Sequence, residues 1–276
     1  MRTNEIASRM IDGLISQLKS EGNLPITSIT LVGSASVGKI SDARPEIDVL
    51  VFLERFDPLY FLALGDAIRS FGERSEGFHL ICGTLESVWR VRAGRLPIAL
   101  HLLLIDTSTI HDYESYGLHP IVLRNMASTR KVVFGEDVLA QFEALPIDRT
   151  EMISLYRGYL HVNRTRLADV GVRYAVSHDS AFLVDNCIEF GKKVFFKAVG
   201  PLLRDPGLAG TICSDKTRLY EFLVAHYPEI RAETDMFFEA LDLPYLSTVD
   251  RAFCEHLYEA TMIALDQVER RLKEMA

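Results

Sequence analysis

Two acids separated by a single residue, Glu46 and Asp48, are the chemically most suggestive pair in this chain. They sit at the start of an apolar run, Glu46 to Leu53, whose β-branched and aliphatic content predicts a strand. Residues i and i+2 of a strand point to the same face, so both carboxylates project together, about 6 to 7 Å apart along the strand. Two like charges side by side repel unless something cationic sits between them. A divalent metal meets that need, and hard oxygen ligands suit Mg²⁺; two solvated acids on an edge strand are the plainer alternative. Just upstream, Ile26 to Val32 reads as another strand, broken by Gly33-Ser34. Gly33, Gly38 and Lys39 also spell G-x-x-x-x-G-K, close to a phosphate-binding P-loop. Against that, Ile40 stands where a Ser or Thr would reach the metal. Pro45 and a strand also come where a full helix is required.

The elements that must position these residues come next. A helix over Asn4 to Ser20 is predicted from Ile6, Met10, Ile11, Leu14, Ile15 and Leu18 at helical spacing, with Gly22 after its end. A further helix is expected over Leu59 to Phe71, closed by Gly72. Strands are then expected at Phe78 to Cys82, Ser87 to Val91 and Ile98 to Ile105. Arg90 to Arg95, with Gly94, reads as a hairpin turn whose arginines are either a solvated face or a phosphate contact. His101 is the polar residue at the middle of an otherwise apolar strand, a position costly to occupy unless the ring is satisfied; it is a metal ligand, a base or a structural histidine. His111, Asp112 and His119 read as surface groups of a loop and helix over Ile110 to Thr129. Lys131 to Gly135 predicts a short strand, with Asp137 able to cap the next helix.

The pattern of apolar strand, Gly33-Ser34, loop and Glu46-Ile47-Asp48 resembles the signature of the nucleotidyltransferase superfamily typified by DNA polymerase β. The resemblance implies that the Gly-Ser turn approaches a nucleoside triphosphate while Glu46 and Asp48 hold Mg²⁺. It implies that Ser34, with the backbone amides of Gly33 to Ser36, holds the β- and γ-phosphates, with charge added by Lys39 or Arg44 on a mobile loop. The family places a third carboxylate on the later strand, where this chain has His101; Glu86 and Asp106 are possible substitutes.

Beyond Pro146 to Thr150 the strand signal stops. Helices are expected over Glu151 to Val170, Asp179 to Val199, Lys216 to His226, Glu229 to Leu241 and Tyr245 to Lys273. The expected fold is thus α+β: a mixed-sheet domain over 1–146 and an antiparallel helical bundle over 147–276. That layout resembles small aminoglycoside-modifying and minimal nucleotidyltransferases, which bind substrate between two such domains. In kanamycin-type members a helical-domain Glu is the general base and a nearby Lys contacts phosphate. Glu189 and Lys193, four residues apart on one helix face, match that pattern, with Lys192 an alternative phosphate ligand; a plain surface ion pair would look the same.

The chain has 276 residues, is 48% hydrophobic and 25% charged, and carries a net charge of −8. That acidity disfavours a long nucleic acid and favours a small-molecule hydroxyl acceptor beside the NTP that the resemblance implies. The N-terminus does not read as a signal peptide, no run is long enough to span a membrane, and Cys82, Cys187, Cys213 and Cys254 read as reduced thiols. A cytoplasmic protein is the expectation, with a homodimer or a helical protein partner as possible associations. The function expected from the resemblance is metal-dependent transfer of a nucleoside monophosphate with release of pyrophosphate. The alternative is a silent nucleotide-binding or antitoxin-like protein of the same fold.

Overall fold

A computed structural model describes residues 3–20, 24–74, 78–82, 88–91, 98–116, 120–244 and 247–276. The chain is α+β and divides into two compact units, Met1–Leu145 and Pro146–Ala276.

The first unit is built on a mixed six-stranded sheet, in the order β4-β3-β5-β2-β1-β6. Its strands are β1 (Ile26–Val32), β2 (Glu46–Leu53), β3 (Phe78–Cys82), β4 (Val88–Val91), β5 (Ala99–Asp106) and β6 (Lys131–Gly135). β1 runs antiparallel to β2 and β6, β5 runs parallel to β2 and β3, and β3 runs antiparallel to β4. The period-2 alternation of β2 divides its side chains between two cores. Ile47, Val49, Val51 and Leu53 join Ile29, Leu31, Leu100 and Leu102 beneath α1 (Thr3–Ser20) and α3 (Pro58–Arg74). Leu50 and Phe52 point the other way, toward Leu123 and Ala127 of α4 (Pro120–Ser128) and toward Leu139 and Phe142. α1 contributes Ala7, Met10, Leu14 and Leu18, spaced three and four residues apart, which brings them onto one buried stripe. Gly13 allows the ring of Phe71 on α3 to come close, since a Cβ there would lie 2.8 Å from it. α3 does not stop at Gly72 as expected; Gly72 is buried within it and the helix runs on to Arg74.

The second unit is helical: α5 (Arg149–Ser177), α6 (Ser180–Val199), α7 (Ala209–Cys213), α8 (Lys216–His226), α9 (Arg231–Ala240) and α10 (Arg251–Met275). α6 packs against α5, α9 and α10, around a core that includes Leu167, Val184, Cys187, Ile188 and Leu257. Aspartates start four of these helices. Asp148, Asp179, Asp215 and Asp250 each accept a backbone N–H from the first turn, satisfying groups that the helix itself leaves unpaired. The cap at Asp250 explains why the last helix begins at Arg251 rather than at Tyr245, which lies outside the described residues. Cys187, Cys213 and Cys254 are free thiols. Among the described residues no helix is long and apolar enough to cross a membrane.

Candidate active site

Glu46 and Asp48 are the even-numbered residues at the start of β2, so they share the face of Leu50 and Phe52. Their neighbour on one side is set by the parallel β2–β5 register, which aligns Glu46 with Ala99 and Asp48 with His101. Aligned residues on adjacent strands project to the same side, so the imidazole joins the carboxylates. His101 Nδ1 lies 3.0 Å from Asp48 Oδ1 and 4.0 Å from Glu46 Oε1. One donor atom from each of the three residues falls within 4.8 Å of the others. The side chains of Glu46, Asp48 and His101 are 22%, 30% and 34% exposed, which leaves the cluster open to solvent and to a ligand.

On the other side β1 aligns Val32 with Asp48, and the chain then turns at Gly33. Gly33 has φ +62°, and a Cβ built on it would lie 2.8 Å from Asp48 Oδ2. Glycine is required here twice over, for the left-handed backbone and for the close approach to the carboxylate. The turn is tied at several points. The Gly33 N–H donates to Thr129 Oγ1 at 3.3 Å, and the Thr129 hydroxyl donates to the Asn125 carbonyl at 3.3 Å. Ser36 Oγ donates to the Gly33 carbonyl at 2.7 Å, and the Lys39 N–H donates to the Ser34 carbonyl at 2.9 Å. Thr129, which the sequence did not single out, is 6% exposed and fixes the turn from the end of α4. No short motif reveals it, because 96 residues separate it from Gly33.

Several expectations change. Gly33 to Ser36 forms a helix of only four residues, α2, and β2 begins at Glu46. No helix opens after Lys39, which rules out the P-loop reading. Lys39 is exposed, but Arg44 is buried at 3% exposure, so Arg44 is not a cation on an open loop. Asp106 is no substitute for a third carboxylate: it lies five positions beyond His101 on β5, about 17 Å along the strand. It holds the chain after β2 and β5 instead, accepting from the Phe56 N–H at 2.9 Å, the Ser108 N–H at 2.9 Å and the Ser108 hydroxyl at 2.6 Å. Burial raises its pKa, but these bonds outweigh that and leave the carboxyl below its ordinary value. Asp137 does not cap the turn after it; its two oxygens accept from Arg130 Nε at 2.7 and 2.9 Å. Glu86, Arg92, Arg95 and His119 lie outside the described residues.

The structure thus brings Gly33, Ser34, Ser36, Glu46, Asp48 and His101 together in the first unit. Glu189, Lys192 and Lys193 lie on α6 of the second. There Glu189 Oε1 pairs with Lys192 Nζ at 2.8 Å, three residues on, rather than with Lys193. The Lys193 ammonium lies 5.3 Å from the centroid of the Phe190 ring, where the face of the ring attracts it.

Two carboxylates and an imidazole on one face form a donor set suited to a divalent cation. The carboxylates match Mg²⁺, whereas the imidazole is the ligand of a less hard ion.

No protein-family model matches the chain, and no curated protein matches it. Among solved structures the chain is similar to the crystal structure of spectinomycin adenyltransferase AAD(9) from Enterococcus faecialis with ATP and spectinomycin. The identity is 14% and the TM-score 0.48, covering 96% of this chain and 99% of that one. At that level of similarity, the reading of the site rests on the chain's own residues.

Proposed function

We propose that this protein is a metal-dependent nucleotidyltransferase that moves a nucleoside monophosphate from an NTP to a hydroxyl of a small-molecule acceptor, releasing pyrophosphate. The observation that supports it best is the packing of the Gly33 turn against Asp48, with a would-be Cβ 2.8 Å from the carboxylate. A backbone turn held that close to paired acids suits a substrate that carries both phosphates and their cation.

The acceptor oxygen forms a bond to the α-phosphorus while the bond from that phosphorus to the bridging oxygen breaks. Pyrophosphate leaves with the electron pair, and the acceptor proton passes to a base. Glu46 and Asp48 hold the cation, which when bound neutralises charge growing on the phosphate oxygens. The turn orients the triphosphate through the backbone amides of Ser34 to Ser36, the Gly33 N–H being held by Thr129, and Lys39 adds charge at its exposed edge. The Thr129 hydroxyl keeps the turn in place. The net charge of −8 argues for a small acceptor rather than a polyanion.

The test is calorimetric binding of ATP, GTP, CTP and UTP, with divalent cation or with EDTA, alongside pyrophosphate release in the presence of candidate acceptors. Asp48→Asn is expected to abolish metal-dependent binding and to lower any transfer by about 10²- to 10³-fold, the loss typical of a principal electrostatic group. Wild-type behaviour in that variant refutes the assignment. The presence of His101 on β5 also favours a second reading, a nucleotide-binding protein without transferase activity; metal-dependent binding without pyrophosphate release under any acceptor would select it.

A further inference from the structure

We propose that His101 is itself a metal ligand, through Nδ1, and that the centre therefore holds a first-row transition ion such as Mn²⁺ more tightly than Mg²⁺. The inference rests on the metal-dependent reading above and names the ion that reading leaves open.

The register pairs His101 with Asp48 across parallel strands, which leaves the ring little choice but the acid face. The nitrogen turned toward the carboxylates is Nδ1, 3.0 Å from Asp48 Oδ1. The distances suit a shared ion. In an octahedral site with bonds near 2.1 Å, adjacent ligand atoms lie about 3.0 Å apart and opposite ones about 4.2 Å. The Asp48–His101 contact of 3.0 Å is a hydrogen bond, and a cation taking the place of the shared proton would find the adjacent spacing already set. The Glu46–His101 separation of 4.0 Å falls between the two and needs a shift within reach of a side-chain rotation. Donor chemistry then selects the ion. Mg²⁺ prefers oxygen ligands and gives up water reluctantly, whereas an imidazole nitrogen favours first-row transition ions, Mn²⁺ least among them and Fe, Ni, Cu and Zn more strongly. Mn²⁺ accepts carboxylate, water and phosphate oxygen in the same six-coordinate shape, so one nitrogen ligand tilts the choice without altering the geometry that phosphate requires.

The experiment uses the full-length protein without nucleotide. Mn²⁺ is titrated by electron paramagnetic resonance and competed with Mg²⁺, in wild type and in His101→Asp. The Mn²⁺ complex of the wild type is also examined by pulsed EPR for a directly bound ¹⁴N nucleus. Expected are a ¹⁴N coupling in the wild type and an affinity for Mn²⁺ at least ~10-fold above that for Mg²⁺, with the ratio falling when an oxygen donor replaces the nitrogen. A Mn²⁺ spectrum lacking ¹⁴N coupling overturns the proposal, as does an affinity ratio that His101→Asp leaves unchanged. If circular dichroism shows that variant unfolded, the wild-type spectrum decides alone. A nitrogen-ligated Mn²⁺ in a protein that binds no NTP would sustain this inference and sink the transferase reading. Nucleotidyl transfer with no nitrogen on the ion would do the reverse, and a protein that binds neither ion refutes both.

Discussion

Three glycines in the first unit share a left-handed backbone yet face different surroundings, so substituting each by alanine separates backbone strain from damage to the site. Gly38 has φ +70°, and nothing lies within 4 Å of a Cβ placed there. Gly38→Ala therefore carries strain alone, about 1–2 kcal/mol for a side chain in the left-handed region. Gly33 has φ +62° and adds a contact of 2.8 Å with Asp48 Oδ2. That is about 0.5 Å inside the closest ordinary carbon–oxygen approach. The Asp48 carboxylate is the softer partner and must swing aside, carrying one of the three ligand atoms with it. Gly33→Ala should cost about 1–3 kcal/mol in stability and a further 10- to 100-fold in metal affinity, the range seen when the orientation of a ligand is disturbed. Urea unfolding measures the first quantity and metal titration the second. The reasoning is refuted if Gly33→Ala binds metal like the wild type, or if Gly38→Ala loses affinity to the same degree. Gly135 completes the series. With φ +74°, its Cβ would sit 1.9 Å from the Thr27 carbonyl oxygen, so Gly135→Ala should lose more stability than either, because backbone has to move and the β1–β6 pairing with it.

Bonds around the site give two further outcomes. Thr129→Val keeps the shape but removes the hydroxyl that accepts from Gly33 and donates to Asn125; it should lose about 1–3 kcal/mol on urea unfolding, while Thr129→Ser stays close to wild type. Asp106→Asn should cost about 2 kcal/mol, since its one oxygen can accept from Ser108 or from the Phe56 N–H but not from both, and the NH₂ replacing the other oxygen accepts from neither. The folded pKa of Asp106 is depressed, so its share of stability is complete above the ordinary aspartate value of about 3.9 and is lost as pH falls through the lower folded value. Thermal unfolding should show the gap between wild type and Asp106→Asn narrowing over that acidic window and constant at neutral pH; a gap that widens on acidification would contradict the assignment.

The features legible in the sequence are those that local chemistry decides. Alternation along Glu46 to Leu53 announces both the strand and the shared face of its acids, and Gly33 announces a turn. His101 is visible as the polar residue in the middle of an apolar strand. Its partner is not, because the β2–β5 register is set by a crossover through α3, β3 and β4 rather than by nearby residues. Thr129 was hidden for the same reason. Other misreadings were contests between near-equal local options. Lys192 and Lys193 both lie on the face of Glu189, and the Phe190 ring drew the second away from it. Asp137 had the sequence position of a cap, but Arg130 took its carboxylate. Gly72 looked like a helix end and instead lies buried inside α3. The aspartate caps of the second unit were easier to foresee, since a cap bonds only to the turn directly after it.

The alternation of β2 also sets which lengths of chain evolution is free to change. The stretch between Ser36 and Glu46 forms neither strand nor helix; Val37, Gly38 and Lys39 surface while Ile40 and Arg44 are buried, so a residue gained or lost among the first three alters a loop and leaves the acids in place. The same event inside β2 would invert the strand. Ile47 and Val49 would be delivered to the face of the acids and Glu46 and Asp48 driven beneath α1 and α3, with β1 and β5 paired along both sides of the strand. The length of that loop is therefore open to change, whereas the length of the strand is held by the two faces that it must serve at once.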